Sequence, residues 1–277
     1  MPFAPEIALH QITRQLCVAF IREPQTGLLL HGANGSGLLT IASGIAEALN
    51  KQPDAMRIIT SEDGKDISID QIRQLYHDTR SSRHNHLTII IDDADRMSLP
   101  AQNAFLKLLE EPPAHVVFVL TTHSPQLLLP TIHSRVATIE VRALSRHDTE
   151  RFITEKGIDD PTRRVQLMFL SSGRPAGLVK LIEDEEYFTQ RSEMIRVARN
   201  VVTGSTYQRL VALKDVMNDR DSAIETVQTI GHIVTYSDKK SHGARTANHM
   251  AVIAETIDKL QANANVRLQL LNLALHL

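Results

Sequence analysis

A chain of 277 residues, 42% of them apolar and 22% charged, is long enough for two or three domains with real cores and too apolar to remain disordered. Its formal charge of −2 provides no global basic field for nucleic acid, and a single cysteine, Cys17, excludes an intrachain disulfide and a Cys-rich zinc module. Apolar runs such as 116–120 fall far short of the roughly 18 residues that cross a bilayer, and Met1-Pro2-Phe3 opens no signal peptide, so a cytoplasmic protein without membrane contact is expected.

The first half alternates strand and helix signals, which favours a parallel sheet with helical crossovers. Residues 28–30 form a short apolar run that ends in a Gly-rich turn, and 38–49 carries Ile41, Ile45, Ala48 and Leu49 at helical spacing. Residues 57–60 make a second strand, Ser68 or Asp70 caps a helix bearing Ile72 and Leu75, and 84–86 is a polar turn. The run 87–91 is apolar but for Thr88 and mostly β-branched, as expected for a strand buried on both faces. Ser98 caps the next helix, whose Ala101, Ala104, Phe105, Leu108 and Leu109 line one face and which Pro112 and Pro113 stop. A strand at 116–120, a short helix over 127–135 broken by Pro130, and a strand at 138–141 complete a five-stranded sheet. From Ser145 onward helical periodicity takes over: 148–156, 163–170 and 175–182 suit a small helical lid. The acidic run 183–186 is either a boundary or a solvated helix end. Long helices then continue to the C-terminus, the last with Val266, Leu270, Leu273 and Leu277 on one stripe.

Two short segments carry a recognisable chemistry. The pattern G-x-x-x-x-G-K-[ST] cradles phosphate because backbone N–H groups ring the anion, lysine neutralises it and a hydroxyl holds magnesium. Gly32, Gly35 and Gly37 have this spacing between a strand and a helix, but Leu38 stands at the lysine position and Leu39 at the hydroxyl position; Thr40 comes one residue late. A charged hydrogen bond contributes on the order of 1.5–3 kcal/mol, so nucleotide binding should weaken and hydrolysis should fail. On its own a motif this degenerate reads first as a Gly-rich turn, and it needs support elsewhere in the chain. The second segment, Ile89-Ile90-Ile91-Asp92-Asp93, follows a buried strand as a Walker B motif does, with Asp92 at the magnesium position and Asp93 where an active ATPase usually has glutamate. Two aspartates after a strand are also a common turn or helix cap.

The stretch from Asp92-Asp93-Ala94-Asp95-Arg96-Met97 through Asn103-Ala104-Phe105-Leu106-Lys107-Leu108-Leu109-Glu110-Glu111-Pro112-Pro113 closely resembles the clamp-loader family of AAA+ proteins, in which D-x-A-D-x-M leads to N-A-L-L-K-x-L-E-E-P-P. The resemblance continues through Leu120-Thr121-Thr122, which is similar to sensor 1 at Thr122, to Ile132-His133-Ser134-Arg135-Val136, where the family has Ser-Arg-Cys. It extends to Asn263-Ala264-Asn265, similar to the N-x-N segment that opens the family's last helix. It implies an AAA+ α/β domain over 1–143, a helical lid over 144–186 and an all-helical oligomerisation collar over 187–277. It also implies that Arg135, supported by Ser134, is an arginine finger presented to the nucleotide of a neighbouring subunit; without the signature, an arginine after a helix reads as a surface ion pair.

A retained finger beside a spoiled loop resembles the delta-prime type of bacterial DNA polymerase III subunit. That resemblance implies a non-hydrolysing subunit with no cofactor of its own, ATP and magnesium being bound by a neighbour. The implied partners are gamma- or tau-like ATPase subunits, a delta subunit, a sliding clamp and, through the complex, primed DNA. The competing reading is an ATPase subunit of a clamp loader or helicase-loading complex, against which Leu38, Leu39 and Asp93 stand together. Three departures limit the transfer. Val136 replaces the family's cysteine, the four-cysteine zinc module is absent, and Arg174 in Ser172-Gly173-Arg174-Pro175-Ala176 is out of register with sensor 2, which is left unassigned. His84, His86, His123 and His133 show no metal-ligand spacing, so no metal is expected.

Overall fold

Strands made almost wholly of apolar side chains bury both faces, and the computed structural model builds its first unit around three of these. The model describes residues 4, 6–50, 55–61, 66–81, 87–113, 115–238 and 244–277. The five strands are β1 (Gly27–His31), β2 (Met56–Ile59), β3 (Leu87–Ile91), β4 (Val116–Thr122) and β5 (Ala137–Glu140), in the order β2-β3-β4-β1-β5. Every neighbouring pair is parallel, as the alternating pattern requires. Side chains leave a strand alternately to either face, so Leu29, Ile89, Ile91, Phe118 and Leu120 enter one core, and Leu28, Leu30, Ile90 and Val119 enter the other.

The first core is closed by α3 (Ile69–Ser81), α4 (Leu99–Glu110) and the short α5 (Pro130–His133). Ser68 starts α3 through a reciprocal pair, accepting from the Gln71 amide at 3.3 Å while its own amide donates to Gln71 Oε1 at 2.8 Å. Ser98 accepts from the Ala101 amide to start α4, and Phe105, fully buried, meets the edge of Phe118 with ring centroids 5.2 Å apart. The second core is closed by α1 (Gln11–Arg22) and α2 (Leu38–Leu49). The backbone at Ala4 lies so close to α2 that a Cβ on Gly44 would fall 2.9 Å from Ala4 atoms. Cys17 is buried on α1, and loss of solvent pushes its thiol up to about 12.

The same unit includes α6 (Arg146–Glu155), α7 (Pro161–Ser171) and α8 (Pro175–Glu183). Asp160 caps α7 at the amides of Thr162 and Arg163, with Pro161 at the first helical position. The Leu144 amide donates to the Gly173 carbonyl at 2.7 Å, tying the turn after α7 to the chain that leaves β5. The second unit, 184–277, is all helical: α9 (Glu185–Thr203), α10 (Thr206–Leu213), α11 (Arg220–Asp238), α12 (Ala244–Gln261) and α13 (Val266–His276). Its core gathers Ala198, Val201, Leu213, Val227, Ile230, Ile253, Leu260, Leu270 and Leu273. Asn265 caps α13 by accepting from the Leu268 amide at 3.1 Å.

Several local expectations are corrected. Pro130 does not break a helix over 127–135; it occupies the first turn of α5, where its missing N–H costs nothing, after a separate 3-10 turn at Pro125–Leu127. The acidic run 183–186 marks the seam between the two units, where Asp184 caps α9 by accepting from the Tyr187 amide at 2.9 Å. Helix α1 has no counterpart in the sequence reading. The expected turn at 84–86 lies outside the described residues. Among the described residues no helix is long and apolar enough to cross a membrane.

Phe105→Ala should lower unfolding free energy by roughly 3–5 kcal/mol, because it removes a ring from a closed core that cannot collapse around the gap. Urea unfolding followed by circular dichroism measures this.

Candidate nucleotide loop and exposed arginine

In a parallel sheet the strands' C-terminal ends form one edge, and functional loops gather there. Pairing of His31 with Thr122 and of Ile91 with Leu120 brings the glycine loop, Asp92, Asp93, Thr121 and Thr122 to that edge. The loop leaves β1 at Gly32, turns through Gly35 (φ 81°) and Gly37 (φ 78°), and enters α2, whose N-cap is Gly37. Left-handed backbone at both positions explains the glycines, and the geometry is that of an anion-cradling turn.

The chemistry around the turn is different. Leu38 points into the core and is almost wholly buried, Leu39 is exposed, and Thr40 is half-buried. The first turn of α8 closes on the loop: the amides of Ala176 and Gly177 donate to the Gly35 carbonyl at 3.0 and 3.1 Å. Arg174 flanks Gly35, and the Ile7 side chain lies where a Cβ on Gly37 would stand, 2.3 Å from it. Ser36 Oγ is buried without a hydrogen bond, on the side of the loop facing Gly32 and Val141. No ammonium or first-turn hydroxyl is offered at the motif positions, and α8 uses its free amides on the loop itself. This set of groups does not fit a tightly held magnesium nucleotide.

Beside the loop, carboxylates are held by threonines. Thr121 Oγ1 donates to Asp92 Oδ1 at 2.6 Å and accepts from the Asp93 amide at 3.1 Å; Thr122 Oγ1 donates to Asp95 Oδ1 at 2.5 Å and accepts from the Ser124 amide at 2.9 Å. His123 Nδ1 lies 2.7 Å from the Gly32 carbonyl, which can only accept, so Nδ1 carries the proton and ties β4's exit to the loop's start. Asp93 takes a left-handed backbone (φ 49°). Burial, then the charge of Asp92 and more weakly that of Asp95, push its carboxyl above the ordinary range against the opposing pull of His123 and Arg96. Among the described residues no three acidic, histidine or cysteine side chains are placed to hold a metal ion.

Arg135 sits elsewhere. It follows α5 and precedes β5, whose Ala137 pairs with Leu28 near the start of β1, so it lies at the opposite edge of the sheet from Gly32. Crossing a five-residue strand at about 3.3 Å per residue puts it on the order of 15 Å from its own glycine loop. Its Nη1 donates to the Thr131 carbonyl at 3.1 Å and to Ser134 Oγ at 3.3 Å, and its Nη2 to Glu110 Oε1 at 2.9 Å. Of the candidate residues, then, the loop, Asp92, Asp93 and Thr122 converge, while Arg135 and Ser134 form a second place. Sequence reasoning did not single out Thr121, Gln102 or Glu110. Paired threonines ending an apolar strand were the available signal for the first; the other two pair with residues far along the chain.

Comparisons with known proteins agree with this architecture. A family model described as DNA polymerase III, delta subunit, matches residues 48–145. The tau subunit of DNA polymerase III from Salmonella typhimurium is 33% identical over 167 residues, covering 50% of this chain and 26% of that protein. The delta' subunit from Bacillus subtilis is 31% identical over 146 residues (53% and 42%), and that of Escherichia coli 23% over 204 residues (72% and 59%). These matches thus span about a quarter to somewhat over half of the relatives' own lengths. A gamma subunit-related protein from Thermotoga maritima superposes with a TM-score of 0.61 at 20% identity, over 95% of this chain and 97% of that one. The RuvB Holliday junction branch migration motor of the same organism gives 0.53 at 15% identity, over 94% and 88%.

The fold is that of an AAA+ protein, a five-stranded parallel sheet followed by helices. Within that class, the chain is similar in sequence to delta' and tau subunits of DNA polymerase III.

The direction of the Asp93 shift makes a pH-dependent prediction. A carboxyl whose folded pKa is raised favours folding only while protonated. Stability is therefore fully present below the unfolded value near 3.9 and is lost as pH rises through the folded pKa. Asp93→Asn, which also tolerates left-handed backbone, should melt at a higher temperature than the parent at pH 7, and the gap should close below about pH 3.5. Thermal melts across this range test it.

Proposed function

We propose that this chain is a non-hydrolysing, delta'-like clamp-loader subunit that supplies Arg135 in trans to the ATP site of a gamma- or tau-like neighbour. It binds no nucleotide of its own, and with that ATPase, a delta subunit and a sliding clamp it takes part in placing the clamp on primed DNA. The observation that carries this reading is the placement of Arg135: a half-exposed guanidinium at the sheet edge remote from its own loop, in a chain whose loop offers leucines where lysine and hydroxyl belong. A guanidinium so placed is out of reach of its own loop and is free to meet a phosphate brought by another chain. There it stabilises charge developing on the transferring phosphoryl oxygens, an effect worth about 10³–10⁵ in rate when an arginine is supplied in trans. The helical unit 184–277 is assigned the assembly role.

Three measurements test this. Titrating magnesium ATP at about 1 mM into the isolated chain should give no binding heat and no turnover; robust hydrolysis abolished by Asp92→Ala would replace the proposal with the ATPase reading. In a loader reconstituted with ATPase, delta subunit, clamp and primed DNA, Arg135→Ala should leave assembly intact and slow hydrolysis at the adjoining site at least tenfold. Unchanged turnover removes the finger assignment. Deleting 184–277 should abolish co-purification with the ATPase subunit.

A further inference from the structure

An arginine can act on a neighbour's phosphate without a costly search only if its own protein already holds it in the acting orientation, so the contacts of Arg135 in the free chain bear on how it works. Helix α4 controls both ends of the segment that carries it. Near the start of α4, buried Gln102 donates from Nε2 to the carbonyls of Met97 and Leu127, both at 3.2 Å, and accepts from the Leu129 amide at 2.9 Å, fixing the approach to α5. At its last residue, Glu110 takes Nη2 of Arg135. Between them, Ser134 Oγ gives its proton to the Thr131 carbonyl at 3.0 Å and turns a lone pair to Arg135 Nη1, which also reaches that carbonyl.

Three acceptors therefore hold the two Nη atoms, while Nε–H meets no partner among the described residues. The Arg135 side chain is 36% exposed and that of Glu110 51%. Of Arg135's acceptors only Glu110 is charged, and it is the one that comes from outside the Thr131–Arg135 segment. Thr131 and Ser134 move with the arginine; Glu110 is anchored to α4 and through it to the sheet.

We infer that Glu110 is a positioning residue for Arg135: its carboxylate fixes the plane of the guanidinium from α4 and leaves the Nε side open to a phosphoryl oxygen of the adjoining subunit. The inference rests on the finger reading. No covalent step is added; the carboxylate orients the cation and takes no proton from it, because an arginine does not deprotonate in a protein.

The test uses the reconstituted loader and the isolated chain. Glu110→Ala should reduce maximal clamp- and DNA-stimulated hydrolysis about 5- to 20-fold with KM for ATP changed less than twofold. Glu110→Gln, which keeps an oxygen acceptor at the same reach, should recover at least half the rate. In an Arg135→Ala background, Glu110→Ala should have no further effect. In the isolated chain, selectively labelled arginine should show a less ordered Arg135 Nε–H signal by NMR in Glu110→Ala, with Tm close to the parent's. Parent-like hydrolysis by Glu110→Ala, or the same loss with and without Arg135, overturns the positioning role while leaving the finger in place. Parent-like hydrolysis by Arg135→Ala in an assembled complex instead overturns the finger reading, and this inference with it.

Discussion

The constraint on which the first unit depends is that its central strands have no polar face. Leu28, Leu29, Leu30, Ile89, Ile90, Ile91, Phe118, Val119 and Leu120 are all fully buried, which leaves the middle of the sheet little room for polar groups beyond Thr88. Polar chemistry is pushed to the two ends of the strands, where backbone groups run out of ladder partners and side chains regain access to water. Parallel pairing makes those ends unequal. The C-terminal edge receives the glycine loop and the threonine-held carboxylates, and the N-terminal edge receives Gly27, Val136 and the arginine segment.

At the C-terminal edge the glycine loop makes a left-handed turn into α2 while its neighbours are turned to structural use. The Gly35 carbonyl satisfies two amides at the start of α8, and Leu38 joins the core beneath α2. Thr121 and Thr122 satisfy carboxylates that would otherwise repel one another with less restraint. Such contacts stabilise the fold locally, since each buried donor and acceptor they pair avoids a desolvation cost of about 1–3 kcal/mol. Burial first, and then the charge of Asp92, keep the carboxyl of Asp93 raised.

Most of this was legible in the sequence wherever the signal was local. The sheet was readable because unbroken apolar runs have one meaning between turn signals, and Ser68, Ser98 and Asn265 act as caps because a cap is decided within three residues. Helix α1 escaped notice because its buried Thr13, Cys17 and Phe20 are interleaved with exposed Ile12 and Leu16, which blurs the apolar stripe. Strand ends shifted by a residue because a neighbour sets them: β2 begins at Met56, where it meets Thr88. At the sites, residue identity disclosed the missing lysine, but not that α8 closes on the loop or that Glu110 meets an arginine 25 positions away. Those are facts of tertiary proximity.

The separation of the two edges has a geometric consequence for any ring this chain enters. A subunit with a competent loop on one flank and an arginine on the other is interchangeable with its neighbours, and a closed ring of them has no first member. In the proposed reading one flank donates and the other, with Leu38 in place of lysine, does not accept. If Arg135 acts as proposed, an assembly containing one such chain acquires a polarity and a fixed starting point, so that the order of its members is written into a single leucine.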